Sequence, residues 1–119
     1  MKIKITFLIA ALTVLTPACK MGVKPTVTTN AITSITMTTA TGGGTVTSDG
    51  GEAVSAKGIC WAKNSGPTVD NVLSIDGVGT GSFTSYLTFL HSGTTYYVRA
   101  YATNKAGTAY GNEVTFTTY

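Results

Sequence analysis

Leu90-His91-Ser92-Gly93-Thr94-Thr95-Tyr96-Tyr97-Val98-Arg99-Ala100-Tyr101-Ala102-Thr103-Asn104-Lys105-Ala106-Gly107 is a turn, then a strict two-residue alternation, then a second turn. Only a β-strand that buries one face uses that period, because successive side chains leave opposite sides of the sheet. Tyr96, Val98, Ala100 and Ala102 fall on one side; Tyr97, Arg99, Tyr101 and Thr103 fall on the other. The first set is expected to face a core and the second to face outward. Asn104-Lys105-Ala106-Gly107 then returns the chain into a last strand.

The same pattern runs outward from this stretch. Ser82 to Leu90 alternates, with Phe83, Ser85 and Leu87 inward and Leu90 closing the corner before the next strand. Ala109 to Thr117 reads as the final strand, with Val114 and Phe116 inward. Upstream, Val54 to Lys63 reads as a strand after the tight turn Asp49-Gly50-Gly51. Pro25 to Thr29 is a first strand, with proline at its start, where a missing donor does least harm. Ile32 to Thr41 alternates as a second strand, with Ile35 and Met37 on one face. Gly42-Gly43-Gly44 interrupts it and Thr45 to Ser48 resumes it; glycines inside a strand mark a bulge or a close backbone approach. Thr68 to Ile75 is a poorly patterned crossover with room for one short edge strand, followed by the glycine-rich turn Asp76 to Gly81.

Seven short strands, punctuated by turn signals over about 100 residues, predict an all-β protein. The expected architecture is a seven-stranded immunoglobulin-like β-sandwich. No stretch beyond the N-terminal segment carries a helical 3.6-residue period. The mixture of Thr, Gly, Tyr and Val, with little Leu, Glu or Lys, favours strands and turns for the same reason.

An ordered set of motifs resembles the fibronectin type III-like domain of bacterial surface and envelope lipoproteins. The motifs are "SDGG" (Ser48 to Gly51), "GICW" (Gly58 to Trp61), "GTGSFTSYL" (Gly79 to Leu87), "GTTYYVRAYATNKAG" (Gly93 to Gly107) and "YGNEVTFTT" (Tyr110 to Thr118). The resemblance spans residues 25–119 and implies a spacer, adhesion or binding module rather than an enzyme. It places Tyr96 where such sandwiches carry a corner tyrosine, whose hydroxyl bonds to backbone across the turn. It also places Trp61 where a large aromatic packs against the strand that follows the corner. Two positions depart from the pattern. Ser92 stands where a turn proline is common, and Phe89 where a glycine or other small residue is usual, which leaves an exposed ring beside the corner.

The N-terminus has a different logic. Met1 to Ala18 reads as a secretion signal: Lys2 and Lys4, the apolar run Ile5 to Leu15, then Thr16-Pro17-Ala18 before Cys19. That run is too short to span a bilayer as a helix, which takes about 20 residues. Residues 1–18 are therefore expected to be a signal peptide, 19–24 a tether and 25–119 the domain. The whole chain has 8 Lys and Arg against 5 Asp and Glu. From Cys19 onward the basic residues are Lys20, Lys24, Lys57, Lys63, Arg99 and Lys105. The acidic ones are Asp49, Glu52, Asp70, Asp76 and Glu113, which leaves a net +1. A near-neutral chain with scattered lysines offers no electrostatic footprint for nucleic acid.

Two fates are open to Cys19. An exported chain with two cysteines invites a Cys19–Cys60 disulfide. Ala18-Cys19 after an apolar run also looks like a bacterial lipoprotein cleavage site, though Thr16 stands where leucine is usual and Pro17 is uncommon there. The primary expectation is lipidation at Cys19, which makes the membrane a partner and the outer membrane the address. Multiple acyl chains anchor stably, at about 0.8 kcal/mol per buried methylene. Cys60 then stands alone on its strand as a small packed residue.

Catalysis needs convergent groups, and the sequence offers few. His91 is the sole histidine and sits in a turn without a nucleophile at motif spacing. Asp49 and Asp76 precede glycines, an ordinary position for Asp in turns. No enzyme activity, metal or cofactor is expected. The suggestive feature is the outward set Tyr97, Arg99 and Tyr101, spaced about 6.7 Å apart in succession. It is read as a face for a protein or glycan ligand, against the plainer reading of cross-strand stacking. The expected function is a non-catalytic envelope module acting in adhesion, assembly or spacing. The alternatives are a carbohydrate-binding module centred on that face, or a fragment of a larger multi-module secreted protein. Trp61, Phe83, Leu90 and Tyr96 are the expected structural anchors.

Overall fold

The structure is a computed structural model that describes residues 22–119, so the expected signal peptide and Cys19 lie outside the described residues. Eight strands form: β1 (Thr26–Thr29), β2 (Ala40–Ser48), β3 (Ala56–Ala62), β4 (Val72–Leu73), β5 (Gly81–Leu87), β6 (Thr95–Asn104), β7 (Gly107–Tyr110) and β8 (Val114–Thr117). They make two antiparallel sheets. One has the order β1-β2-β5; the other has the order β4-β3-β6-β7, with β8 also pairing β6. The inward faces close on each other as a sandwich.

The core follows from the alternation. Val98, Ala100 and Ala102 of β6, Ile59 of β3 and Leu87 of β5 are fully excluded from water. Val27, Val46, Trp61, Phe83, Leu90, Tyr96 and Phe116 join them. Each large apolar side chain buried this way contributes about 1.5–3 kcal/mol. Tyr96 and Phe116 stack with ring centroids 5.6 Å apart. Leu90 is buried at the corner, and the Tyr96 hydroxyl accepts the backbone N–H of His91 at 2.8 Å. A buried hydroxyl needs such a partner, and the bond is worth about 1 kcal/mol.

Two elements differ from the sequence reading, and eight strands form where seven are expected. Residues 32–39 are not a strand; β2 starts at Ala40 and runs through the glycines without a break. The Thr36 hydroxyl accepts from the N–H groups of Thr38 (3.2 Å) and Thr39 (2.9 Å), and this local turn competes with pairing. At Gly44 the backbone comes too close to its neighbours to admit a side chain. A Cβ on Gly44 would lie 2.4 Å from the Thr28 carbonyl and 2.9 Å from the Ala100 Cβ of the opposite sheet. The final strand is split into β7 and β8. Between them, Asn112 Oδ1 accepts the Thr29 N–H of β1 at 2.9 Å, so the chain leaves its own sheet to hold the other one. The crossover contributes β4 as the short edge strand, paired with β3 through Cys60–Leu73 and Trp61–Val72.

Candidate functional site

Two surfaces compete for the role: the outer face of β6, favoured by sequence, and a groove between the edges of the two sheets. The outer face does not form the expected platform. Tyr97 and Arg99 are half-buried there, but Tyr101 is only 2% exposed. Its ring lies beside Gly58, its direct cross-strand neighbour, which has no side chain to hold it away. The hydroxyl crosses to β4's end and donates to the Ser74 carbonyl at 2.7 Å. Burial pushes the Tyr101 phenol up to about 12, and the charge of Asp76 adds to the rise. Tyr101 is thus a structural residue, and the three-residue ligand face is corrected to a packed one.

Arg99 is also committed elsewhere. Its Nε and Nη2 donate to the Pro67 carbonyl at 2.9 and 2.6 Å. Its guanidinium lies 4.2 Å from the ring centroid of Tyr110 on β7, rather than between Tyr97 and Tyr101. Tyr110 in turn accepts the Val69 N–H at 3.0 Å. Glu113 completes the clamp, accepting the Gly66 N–H at 2.6 Å and the Ser65 hydroxyl at 3.0 Å. Together these groups strap residues 65–69 across the sheet and bury Pro67. Cys60 packs beneath, fully buried, with its thiol donating to the Arg99 carbonyl at 3.4 Å. Burial raises the thiol to about 11, and the positive charge of Arg99 offsets only part of that rise. Such a thiol is inert.

A second polar cluster joins the crossover to β5. Ser85 is fully buried, and its hydroxyl donates to Asp76 Oδ2, which also accepts from the Ser74 hydroxyl at 2.6 Å. The Ser74 hydroxyl itself accepts the Ile59 N–H at 3.0 Å. Lys57, equally unforeseen, is 6% exposed. Its ammonium donates to the Thr80 carbonyl at 3.1 Å and sits 5.8 Å from the Phe83 ring centroid. Asp76 and Lys57 thereby fix the turn that leads into β5. Spacing alone carried no signal for either contact, since both depend on strands that meet only in three dimensions.

The groove lies between β4 and the β5–β6 corner, with a volume of about 840 Å³. Trp61, Leu73 and Leu90 are among the apolar residues lining it, with Tyr86 and Phe89 at its margin. Lys63 donates to Nδ1 of His91 at 3.0 Å on its wall. Phe89 is 94% exposed and adopts φ 57, a left-handed conformation that a bulky residue rarely takes. Sequence departure at Phe89 was the one visible pointer to this surface. Among the described residues, no group of three or more His, Cys, Asp or Glu is placed to hold a metal ion, and no helix is long and apolar enough to cross a membrane.

No protein-family model and no curated protein matches the chain. Solved structures do. The sensor domain of the anti-sigma factor RsgI4 from Pseudobacteroides cellulosolvens is 19% identical, with a TM-score of 0.58, over 79% of this chain and 93% of that one. The sixth fibronectin type III domain of human fibronectin type III domain containing protein 3 is 22% identical, with a TM-score of 0.53, over 82% of each chain. Likeness at this identity speaks to the fold. Taken with the two-sheet order and the corner tyrosine, it shows that the described residues adopt a fibronectin type III-like fold.

Proposed function

We propose that this chain is a non-catalytic module of the cell envelope, held at the outer membrane by lipid on Cys19 and acting in adhesion, assembly or spacing. The observation that carries the binding part is the groove of mixed apolar and polar lining rimmed by Phe89, an exposed ring on strained backbone. Strain held at an exposed position is a mark of function, because packing alone would not select it. The polar groups on the outer face of β6 and beside β8 are spent on the crossover strap, which leaves the groove as the interaction surface. A protein partner fits this surface better than a glycan on the outer face of β6, since Tyr101 and Arg99 are engaged internally. The buried thiol of Cys60 supports the reading in which Cys19 is modified rather than disulfide-bonded.

The test is intact mass spectrometry of the membrane-extracted protein, with and without reduction and alkylation under denaturing conditions. Acyl mass on Cys19 with a single alkylatable thiol is the expected result. An unacylated chain retaining a Cys19–Cys60 disulfide would make the protein a soluble secreted one and remove the anchor from the proposal.

A further inference from the structure

The edge of β5 is built to pair with another strand. On β2, the Gly43 carbonyl accepts from Asn30, and Thr41 exchanges both backbone bonds with Thr33. The backbone groups of those two residues therefore point away from β5. Because N–H and C=O of one residue share an edge and alternate along a strand, Gly42 and Gly44 point toward β5. Their partners are Ser85 and Phe83. It follows that Ser82, Thr84 and Tyr86 direct their N–H and C=O groups to the open side. Among the described residues these three N–H and three C=O groups have no backbone partner.

The opposite edge of the same sheet is protected, since β1 follows Pro25 and gives its Thr29 N–H to Asn112, and β4, at one edge of the other sheet, is two residues long. β5 is seven residues long and reads Gly-Ser-Phe-Thr-Ser-Tyr-Leu, with no charge and no proline. Those are the devices that ordinarily keep an edge from pairing. Three exposed apolar side chains, Val72, Tyr86 and Phe89, line one groove beside this edge. A cluster of that kind marks an interaction site.

We infer that the occupant is a second copy of this chain, with β5 pairing antiparallel to β5 about a two-fold axis at Thr84. A two-fold sets each residue against a fixed mate: Thr84 against Thr84, Ser82 against Tyr86, and Tyr86 against Ser82. All three are pairs of outward-directed groups, so the register satisfies every open donor and acceptor of both strands. An uncharged edge suits self-pairing, since the two copies carry the same charges and a charge near the axis would meet its like. The same register brings Phe89 level with Gly79 of the other copy. Gly79 and Gly81 have nothing within 4 Å of their Cβ positions, which leaves flat space for a ring, with Val78 exposed beside it. The product is a continuous six-stranded sheet with an isologous interface. This inference goes beyond the envelope reading and stands without the lipid, because no group of residues 1–21 takes part in it.

Thr84→Cys tests the axis directly. In a hydrogen-bonded antiparallel pair the two Cα atoms lie about 5.5 Å apart, within disulfide range. The full chain carrying Thr84→Cys should form a covalent dimer on mild oxidation in membranes. Ser82→Cys and Tyr86→Cys should each fail singly, and the double variant should cross-link. Thr47→Cys on β2 serves as the remote control. Separately, sedimentation of the full chain should show a dimer that Thr84→Pro weakens more than tenfold. That proline removes an N–H that faces the open edge and not β2, so the melting temperature measured at high dilution should stay unchanged. Cross-linking at Thr84 no faster than at Thr47, a wild-type chain that stays monomeric, or cross-links only to a different polypeptide would each overturn self-pairing. Any of these results leaves the Cys19 mass unaffected.

Discussion

Replacing Phe89 by glycine should make the protein more stable, the reverse of what removing a large apolar side chain usually does. The ring is 94% exposed, so almost no burial is lost. The backbone at this residue has φ 57, a left-handed conformation that costs an L-residue roughly 1–2 kcal/mol and costs glycine almost nothing. Against this gain stands the greater freedom of glycine in the unfolded chain, worth about 0.4–1 kcal/mol. The balance is a stabilisation of about 0.5–1 kcal/mol. For a domain of this size each kcal/mol moves the melting temperature by about 4–8 °C, so a rise of roughly 2–8 °C is expected. Phe89→Ala is the control: it removes the same ring but keeps the strain, and should lie within about 0.5 kcal/mol of the parent. The assay is thermal unfolding by circular dichroism at low protein concentration, where self-association does not contribute. A glycine variant no more stable than the alanine variant would refute the argument. It would mean that the ring rests on the protein or that the backbone at this position is unstrained.

Tyr101→Ala should destabilise by about 3–5 kcal/mol, as for other buried aromatics, whereas Tyr101→Phe should lose only the bond to Ser74, about 0.5–1.5 kcal/mol. Urea unfolding of the two variants decides it; a Tyr101→Ala protein as stable as the parent would return the ring to solvent. Stability should also fall in alkali. The Cys60 thiol rises from 9.0 to about 11 and the Tyr101 phenol from 10.0 to about 12 on folding. Between the unfolded and folded values the unfolded chain binds fewer protons, so stability is intact below about pH 9 and declines from there toward about pH 12. Tyr101→Phe should remove the upper part of that decline, and an unchanged profile in that variant would contradict the assignment. Native Cys60 should resist alkylation at pH 8 and react only on unfolding.

The strands β5 and β6 were legible in the sequence because a half-buried strand imposes its own period of two, and nothing distant is needed to read it. Phe83, Ser85 and Leu87 are inward as the alternation required, and Tyr96, Val98, Ala100 and Ala102 follow the same rule. Glycine at 44 announced a close approach, though not that Ala100 of the other sheet was the neighbour. What period cannot tell is whether an outward face stays outward. Alternation puts Tyr101 opposite the core, and so it is; its burial comes from Ser74, brought over Gly58 by the pairing of β4 with β3. Arg99 belongs to the outward set by alternation, yet it is spent on a loop more than thirty residues upstream. The stretch from 32 to 39 alternates yet forms no strand, because the Thr36 hydroxyl supplies local hydrogen bonds that outcompete a ladder. By itself the sequence determined the class, the core and the strand periods, all consequences of local alternation and turn chemistry. Only the tertiary structure decided which outward faces meet water and which edge lies open, because both depend on long-range contacts that carry no periodic signature.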